Sequence, residues 1–551
     1  MQQKTKEEIA ALIEGEVRDD AATLERLSKD ASIFTVRPSL AVAPRSATDV
    51  EKLVEYVAKR NQEGERLTVT ARSAGTDMTG GPLNEGIILE FTEHMNALRE
   101  IGADSATVEP GMYYRDFEKA TLAKGLLLPS YTASKDLCAV GGMVANNSGG
   151  EKTLVYGKTE KYVRRLKVVL SDGSVAEFEK LTMKELEAKK KLDTLEGQIY
   201  RKMHELCESE YDLIKASKPN VTKNSSGYYL WNVYDRETGT FDLTQVIVGS
   251  QGTLGIVTEI EFALVRPHTH TRLAVVFLKE MKTLPKVIHE LLSFTPESLE
   301  SYDDHTFRFA IKLFPMIVKR LGGSIFGLAL RFWPEFKAVL TGGLPKLILL
   351  AEFSGDTDEE ATAKAEASVA AMREMGYEAR VTTGPEEAEK YWVMRRESFN
   401  LLRQKKTDMR TASFIEDFAV HPDDLPTFLP KFYALLDEYD LTYTVAGHMG
   451  DANFHIIPLM DMRRPDADDI ISALMDKVYR LVLSYRGTIT AEHNDGLIRS
   501  SYVPLMYGDD VVALFERTKD IFDPHRIFNP GKKVFADRQY ALEHMVHNNL
   551  G

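Results

Sequence analysis

The stretch Arg72-Ser73-Ala74-Gly75-Thr76-Asp77-Met78-Thr79-Gly80-Gly81-Pro82 decides how this chain is read. It directly follows a β-rich run, Leu67-Thr68-Val69-Thr70-Ala71, and before that lies a helical pattern through Leu53, Val54 and Val57 with Ser46 or Thr48 as its cap. A helix leading into a strand and then a glycine turn is α/β or α+β organisation. Backbone amides in such a turn form a concave nest for phosphate oxygens, and the Ser and Thr hydroxyls add donors. The spacing fits neither the three-glycine dinucleotide fingerprint nor the P-loop, so nucleotide hydrolysis finds no support.

Two further small-residue loops lie downstream: Val140-Gly141-Gly142-Met143-Val144-Ala145-Asn146-Asn147-Ser148-Gly149-Gly150, and Gly249-Ser250-Gln251-Gly252-Thr253-Leu254-Gly255-Ile256-Val257-Thr258. Glycine carries an entropic cost unless backbone must approach something closely, and a long, flat, diphosphate-bearing cofactor is such a thing; ordinary turns are the plainer alternative. Strand-like runs are expected at 86–90, 106–109, 166–170, 246–249 and 255–264, then at 273–278 and 347–353, with a helix over about 358–376. The domain plan is a helical lead-in at 1–34, a cofactor domain at 35–266, a cap domain at 267–500 and a C-terminal segment at 501–551. Within the cap, 311–350 mixes bulky apolar residues with bases. It reads either as an inserted helical hairpin or as a basic amphipathic patch resting on an anionic membrane.

With 551 residues, two or three domains are expected. Hydrophobic content of 43%, charged content of 28% and a formal charge of −14 describe a globular chain and disfavour nucleic-acid binding. Two cysteines, Cys138 and Cys207, rule out a disulfide framework, a cysteine-rich zinc module and an iron–sulfur run. The charged N-terminus lacks an apolar signal core, so a cytoplasmic-side protein is the simplest expectation.

The second informative stretch is Gly447-His448-Met449-Gly450-Asp451-Ala452-Asn453-Phe454-His455, answered by Ala491-Glu492-His493. Imidazole nitrogens and a carboxylate oxygen are ligands suited to a divalent transition metal. His448 and His455 are seven apart, which no single face of a regular helix accommodates, while an extended or looped segment lets them converge. On spacing alone they read equally well as separate buried or surface histidines.

Taken together, the three loops, the stretch from Pro129, the His448 to His455 motif, Glu492-His493 and Asn529-Pro530-Gly531-Lys532 resemble the vanillyl-alcohol oxidase flavoprotein superfamily. Within it they resemble the branch of FAD-linked D-2-hydroxyacid dehydrogenases, which includes D-lactate dehydrogenases and the glycolate oxidase flavin subunit. The resemblance covers about residues 35 to 535. It implies an α+β fold: a two-subdomain FAD-binding domain with an α+β substrate cap. It places FAD against Arg72, Ser73, Ala74, Gly75, Thr76, Asp77, Thr79, Gly80, Pro129, Ser134, Gly141, Gly142, Asn146, Ser148, Gly149, Gly252, Ile256, Val257 and Asn529. A histidine commonly occupies the Thr76 position in relatives that attach FAD covalently, so dissociable FAD is expected.

By the same resemblance His448, His455 and Glu492 match the metal ligands and His493 the catalytic base, with zinc, manganese or iron as the metal. Asn453 matches an asparagine near substrate, and Arg395 an arginine that clamps the substrate carboxylate, a surface charge being the alternative because Arg396 adjoins it. Tyr228 is a pocket candidate. Three departures bear on substrate: Ala452 replaces a usual glycine, Asn494-Asp495 follow the base, and Ile415 stands near a lysine of dicarboxylate-oxidising relatives. The expected activity is oxidation of a D-2-hydroxy acid, D-lactate or a close relative, with a quinone, an electron-carrier protein or oxygen as acceptor. Rival expectations are a non-redox, alkyl-transferring ether-lipid synthase of the same superfamily, or a flavin subunit of an electron-transfer complex. A homodimer and peripheral membrane contact stay open.

Overall fold

A computed structural model describes residues 3–304, 345–405, 409–439 and 441–548. Most of the apolar-basic segment at 311–350 therefore lies outside the described residues. Two short helices, Gln3–Leu12 and Ala21–Leu27, separated by the strand Glu16–Arg18, form the lead-in. Ser46 is the cap of the next helix, Ala47–Gln62: its hydroxyl accepts from the Asp49 amide, and Val50, Leu53, Val54 and Val57 make the buried stripe.

That helix crosses between strands of a four-stranded sheet ordered Glu16–Arg18, Leu40–Ala43, Ile87–Glu90, Val69–Arg72, the last three mutually parallel. The glycine loop 73–82 leaves the carboxyl end of Val69–Arg72, where ligands sit against parallel strands. A seven-stranded antiparallel sheet follows, centred on Ile256–Ala263 between Ser105–Val108 and Val163–Val169. One expected strand is not there. Thr244–Ile247 is a helical turn, because the Asp242 carboxylate accepts from the Thr244 amide at 2.9 Å and starts a helix where the apolar run alone suggested extension.

After residue 263 the chain enters an eight-stranded sheet that includes His270–Leu278, Leu347–Gly355, Ser298–Asp303, Thr442–His448 and Asn453–Met460. The helix Asp358–Glu374 covers it, capped by Thr357 and burying Ala361, Ala365, Val369 and Met372 at helical spacing. Each fully buried side chain of the larger kind contributes on the order of 1.5–3 kcal/mol. The chain then returns: Phe528 bridges Val69, and the Val69 amide donates to Ile527 O at 2.8 Å. Both cysteines are buried and unpaired. No described helix is long and apolar enough to cross a membrane.

Candidate active site

The two histidines seven apart are explained by a hairpin. Strands Thr442–His448 and Asn453–Met460 pair antiparallel, with His448 opposite Asn453 and Ala446 opposite His455. Cross-strand partners share a face and so do residues two apart, so His448 and His455 point the same way. The turn between them passes through Ala452 at φ +44°, a left-handed position that costs a non-glycine residue about 1 kcal/mol. Glu300 lies opposite His448 on the neighbouring strand, again on that face.

Three imidazoles converge on one oxygen. Glu492 Oε1 lies 3.2 Å from His448 Nε2, 3.3 Å from His455 Nε2 and 3.8 Å from His493 Nε2. The donor atoms of His448, His455 and Glu492 all fall within 4.8 Å of one another, a mixed nitrogen and oxygen set that fits a divalent transition metal. The outer nitrogens are held as well: His448 Nδ1 by Glu300 at 2.6 Å, His455 Nδ1 and His493 Nδ1 by Glu416 at 3.4 and 2.8 Å. The other Glu492 oxygen pairs with the fully buried Lys223 ammonium at 3.1 Å, and Lys223 also reaches Asp451.

Asp417 orders the segment that carries Glu492 and His493. Its carboxylate accepts from the His493 amide at 2.7 Å, the Glu492 amide at 3.0 Å, the Thr490 hydroxyl at 2.6 Å and Asn453 Nδ2 at 3.3 Å. Arg499, wholly buried, donates to Glu416 Oε1 at 2.7 Å. Arg395 pairs with Glu300, and its buried Nε has no hydrogen-bond partner. Burial penalises every one of these charges, and the neighbours decide the outcome. Glu492, buried but faced by Lys223 and His448, lies well below the usual carboxylate range, and so does Glu416 beside His493 and Arg499. Burial opposes a proton on His493, yet Glu416 and Asp417 outweigh it and push the imidazole up to about 10.

A cavity of about 810 Å³ joins this cluster to the glycine loops. Arg395, His448, His455, Glu492 and His493 line one part. Arg72 to Asp77, Ser134, Gly141, Gly142, Asn146, Ser148, Gly149, Gly252 and Val257 line the rest, together with Lys29 to Ala31 of the lead-in. The cradle fits a diphosphate cofactor on two counts. Asp77 accepts from the amides of Thr79 and Gly81 and so fixes the loop, whose residues from Arg72 to Asp77 line the cavity. A Cβ at Gly142 would meet nothing nearer than Ser73 Cβ at 3.9 Å, so the protein itself does not require glycine there.

Thr79, Gly80, Pro129, Ile256, Asn529 and Asn453 are not on the cavity wall. Thr79 and Gly80 brace the loop from behind, through Asp77 and Asp30. Ile256 is core. Asn529 ties loops together, donating to Gly81 O and Gln251 O at 2.9 and 2.7 Å. The Arg72 guanidinium turns away to the carbonyls of Leu27 and Lys29 and pins the lead-in. Asn453 serves Asp417, and Tyr228 is buried on Thr253. Sequence reasoning missed Lys223, Glu300, Glu416, Asp417 and Arg499 as parts of the site; the acidic pair Glu416-Asp417 was the one available signal.

Two family descriptions match the chain: "FAD binding domain" over residues 38–179 and "FAD linked oxidases, C-terminal domain" over residues 267–533. The chain thus carries both an FAD-binding domain and the C-terminal domain of FAD-linked oxidases. Among curated relatives of this flavoprotein, D-2-hydroxyglutarate dehydrogenase of Escherichia coli (strain K12) is 28% identical over 92% of the chain. The chain spans about half the length of that relative, 49%. Glycolate oxidase subunit GlcD of Bacillus subtilis (strain 168) is 25% identical, with 91% of the chain and 90% of the relative covered. D-lactate dehydrogenase of Anaerostipes hadrus is 26% identical, with 90% and 89% covered. Among solved structures, alkyldihydroxyacetonephosphate synthase superposes with a TM-score of 0.68 at 15% identity, covering 97% of this chain and 86% of that one. The fold is that of the vanillyl-alcohol oxidase-type flavoproteins, α+β as expected.

Proposed function

We propose that this flavoprotein oxidises a D-2-hydroxy acid to the 2-oxo acid, using dissociable FAD and a divalent metal. The observation that carries the reading is the single cavity lined at one part by glycine loops and at the other by Arg395 and the His448, His455, Glu492, His493 cluster. The names of the relatives supply the substrate class, a 2-hydroxy acid of D configuration or glycolate.

Bound FAD supplies the hydride acceptor. A divalent ion on His448, His455 and Glu492 supplies a Lewis acid for the substrate's hydroxyl and carboxylate oxygens. The protein's own groups do the remainder. Arg395, whose Nε is buried without a partner, offers a fixed fork of donors to the carboxylate. Glu300 holds that arginine and His448 together. His493 has Nδ1 against Glu416, which leaves Nε2 facing the cavity; the positive charge of an ion held beside it would offset Glu416 and Asp417 and lower the imidazole enough for Nε2 to take the hydroxyl proton. Thr76 offers no ring nitrogen for a covalent flavin link. The relatives' names span glycolate, D-lactate and D-2-hydroxyglutarate; smaller acids come first here because Ile415 is apolar and buried in the core rather than cationic. The likeness to the alkyl-transferring synthase is one of fold alone.

The test is anaerobic reduction of the flavin by D- and L-lactate, glycolate and D-2-hydroxyglutarate, before and after chelation and metal restoration. Bleaching by the D-isomer that chelation abolishes and metal restores is the expected result. Inactivity of an FAD-loaded, metal-replete preparation towards all four would falsify the substrate class.

A further inference from the structure

Glu416 lines the same cavity and contacts two of the three clustered imidazoles. Its single oxygen Oε2 lies 2.8 Å from His493 Nδ1 and 3.4 Å from His455 Nδ1. The rings are stacked, with centroids 5.1 Å apart. Its other oxygen accepts from Arg499 at 2.7 Å, in a pair with no exposure on either side, so the carboxylate has no freedom to turn. A neutral imidazole whose Nδ1–H is held by a carboxylate presents a lone pair at Nε2. Both Nε2 atoms meet at Glu492 Oε1.

We propose that Glu416 is a positioning residue that fixes the tautomer of His455 and of His493 together, so that one buried carboxylate prepares a metal ligand and the proton acceptor at once. This rests on the metal and base reading given above. A second cation among Glu416, Asp417, His455 and His493, whose donor atoms also lie within 4.8 Å of one another, is the competing account. It is disfavoured because protein donors already fill the Asp417 oxygens: the amides of Glu492 and His493 and the Thr490 hydroxyl. Nothing about the spacing of 416 to 455 and 493 announces the link; the hairpin and the turn after residue 491 create it.

The experiment titrates Zn²⁺ into the FAD-loaded full chain against a chromophoric chelator. Wild type is expected to take one zinc. Glu416→Gln is expected to bind zinc about 10- to 100-fold more weakly with FAD content unchanged, and to reduce its flavin more slowly even at saturating zinc. Glu416→Asp keeps the charge beside Arg499 but withdraws it from the rings, and should fall between the two. Nitrogen-15 shifts of His493 in the zinc-loaded protein should report Nδ1–H with a bare Nε2 in wild type and mixed tautomers in Glu416→Gln. A folded Glu416→Gln with wild-type zinc affinity and rate, or two zincs per wild-type chain, overturns the proposal; if Glu416→Gln does not fold, wild-type affinity in Glu416→Asp does so. A wild type that binds no zinc sinks the metal reading itself, and this inference with it.

Discussion

Gly142 and Gly141 are neighbours in the helix Val140–Asn146, and both face the cavity, but only one of them is explained by the protein around it. A Cβ on Gly141 would sit 2.6 Å from both Pro110 Cβ and Pro110 O, and 2.8 Å from Ser73 Oγ. A Cβ on Gly142 would meet only Ser73 Cβ, at 3.9 Å, an ordinary van der Waals distance. Gly142→Ala should therefore stabilise the flavin-free protein by about 0.5–1 kcal/mol, through reduced backbone entropy in the unfolded chain. The same methyl group projects into space where FAD is proposed to approach the backbone, and displacing a close-packed ligand costs about 1–3 kcal/mol. FAD affinity should then fall by roughly 5- to 150-fold. Gly141→Ala should instead lower both quantities, because its clash lies within the protein. Thermal melts of flavin-free protein and FAD fluorescence titrations measure the two effects separately. A Gly142→Ala protein with raised stability and FAD affinity within twofold of wild type would show that no ligand approaches this loop.

Three other outcomes are expected. Arg395→Met should cut kcat/KM for the hydroxy acid by at least about 30-fold while FAD binding stays unchanged, since truncating a buried charged partner costs about 2–5 kcal/mol; stopped-flow flavin reduction checks it, and a loss confined to FAD affinity would contradict the carboxylate role. Asp417→Asn retains the backbone, because asparagine tolerates the φ of +71° at this position. It strips charge assistance from three short bonds, about 1 kcal/mol each, so zinc affinity and turnover should fall by about two decades, and a change under fivefold would refute this account. Asp30 is half-buried on the cavity wall, and its partial desolvation, with Asp77 beside it, raises its carboxyl from 3.8 to about 7. The folded state thus holds a proton the unfolded chain gives up, so stability is fully present below pH 4 and is lost as pH rises to about 7, by up to about 4 kcal/mol. Melting curves of flavin-free wild type and Asp30→Asn should diverge across that window; a constant gap would sink the assignment.

The parts of the site visible in sequence are those whose chemistry is local in the chain. His448 and His455 flank one hairpin turn, Glu492 and His493 are adjacent, and each glycine loop is contiguous. The strand Val69–Arg72 and the helix Asp358–Glu374 were legible for the same reason, because periodicity and caps act within one element. What stayed hidden was the supporting shell. Glu300 reaches His448 across 148 positions through the pairing of two strands, and Lys223 reaches Glu492 across 269 through the packing of two loops. Thr244–Ile247 failed differently, since a side-chain turn, the Asp242 carboxylate accepting from the amide two residues on, overrode an apolar run with strand character. Arg72 and Asn453 were picked out by the family resemblance, and the structure gives their side chains to two lead-in carbonyls and to Asp417.

Asn529 sets a schedule for the maturation of this protein. Its amide donates to Gly81 O and Gln251 O and its side-chain oxygen accepts from Thr70, so the first and third loops of the cradle, each already joined to the second through Asn146, gain a further tie from a residue that emerges some 270 positions after the last of them. At about 5–20 residues per second, a ribosome needs tens of seconds to cover that interval, with the loops already made and joined at Asn146. The nascent chain can therefore gather the three loops by itself, and Asn529 draws the first onto the third only once residue 529 has been made.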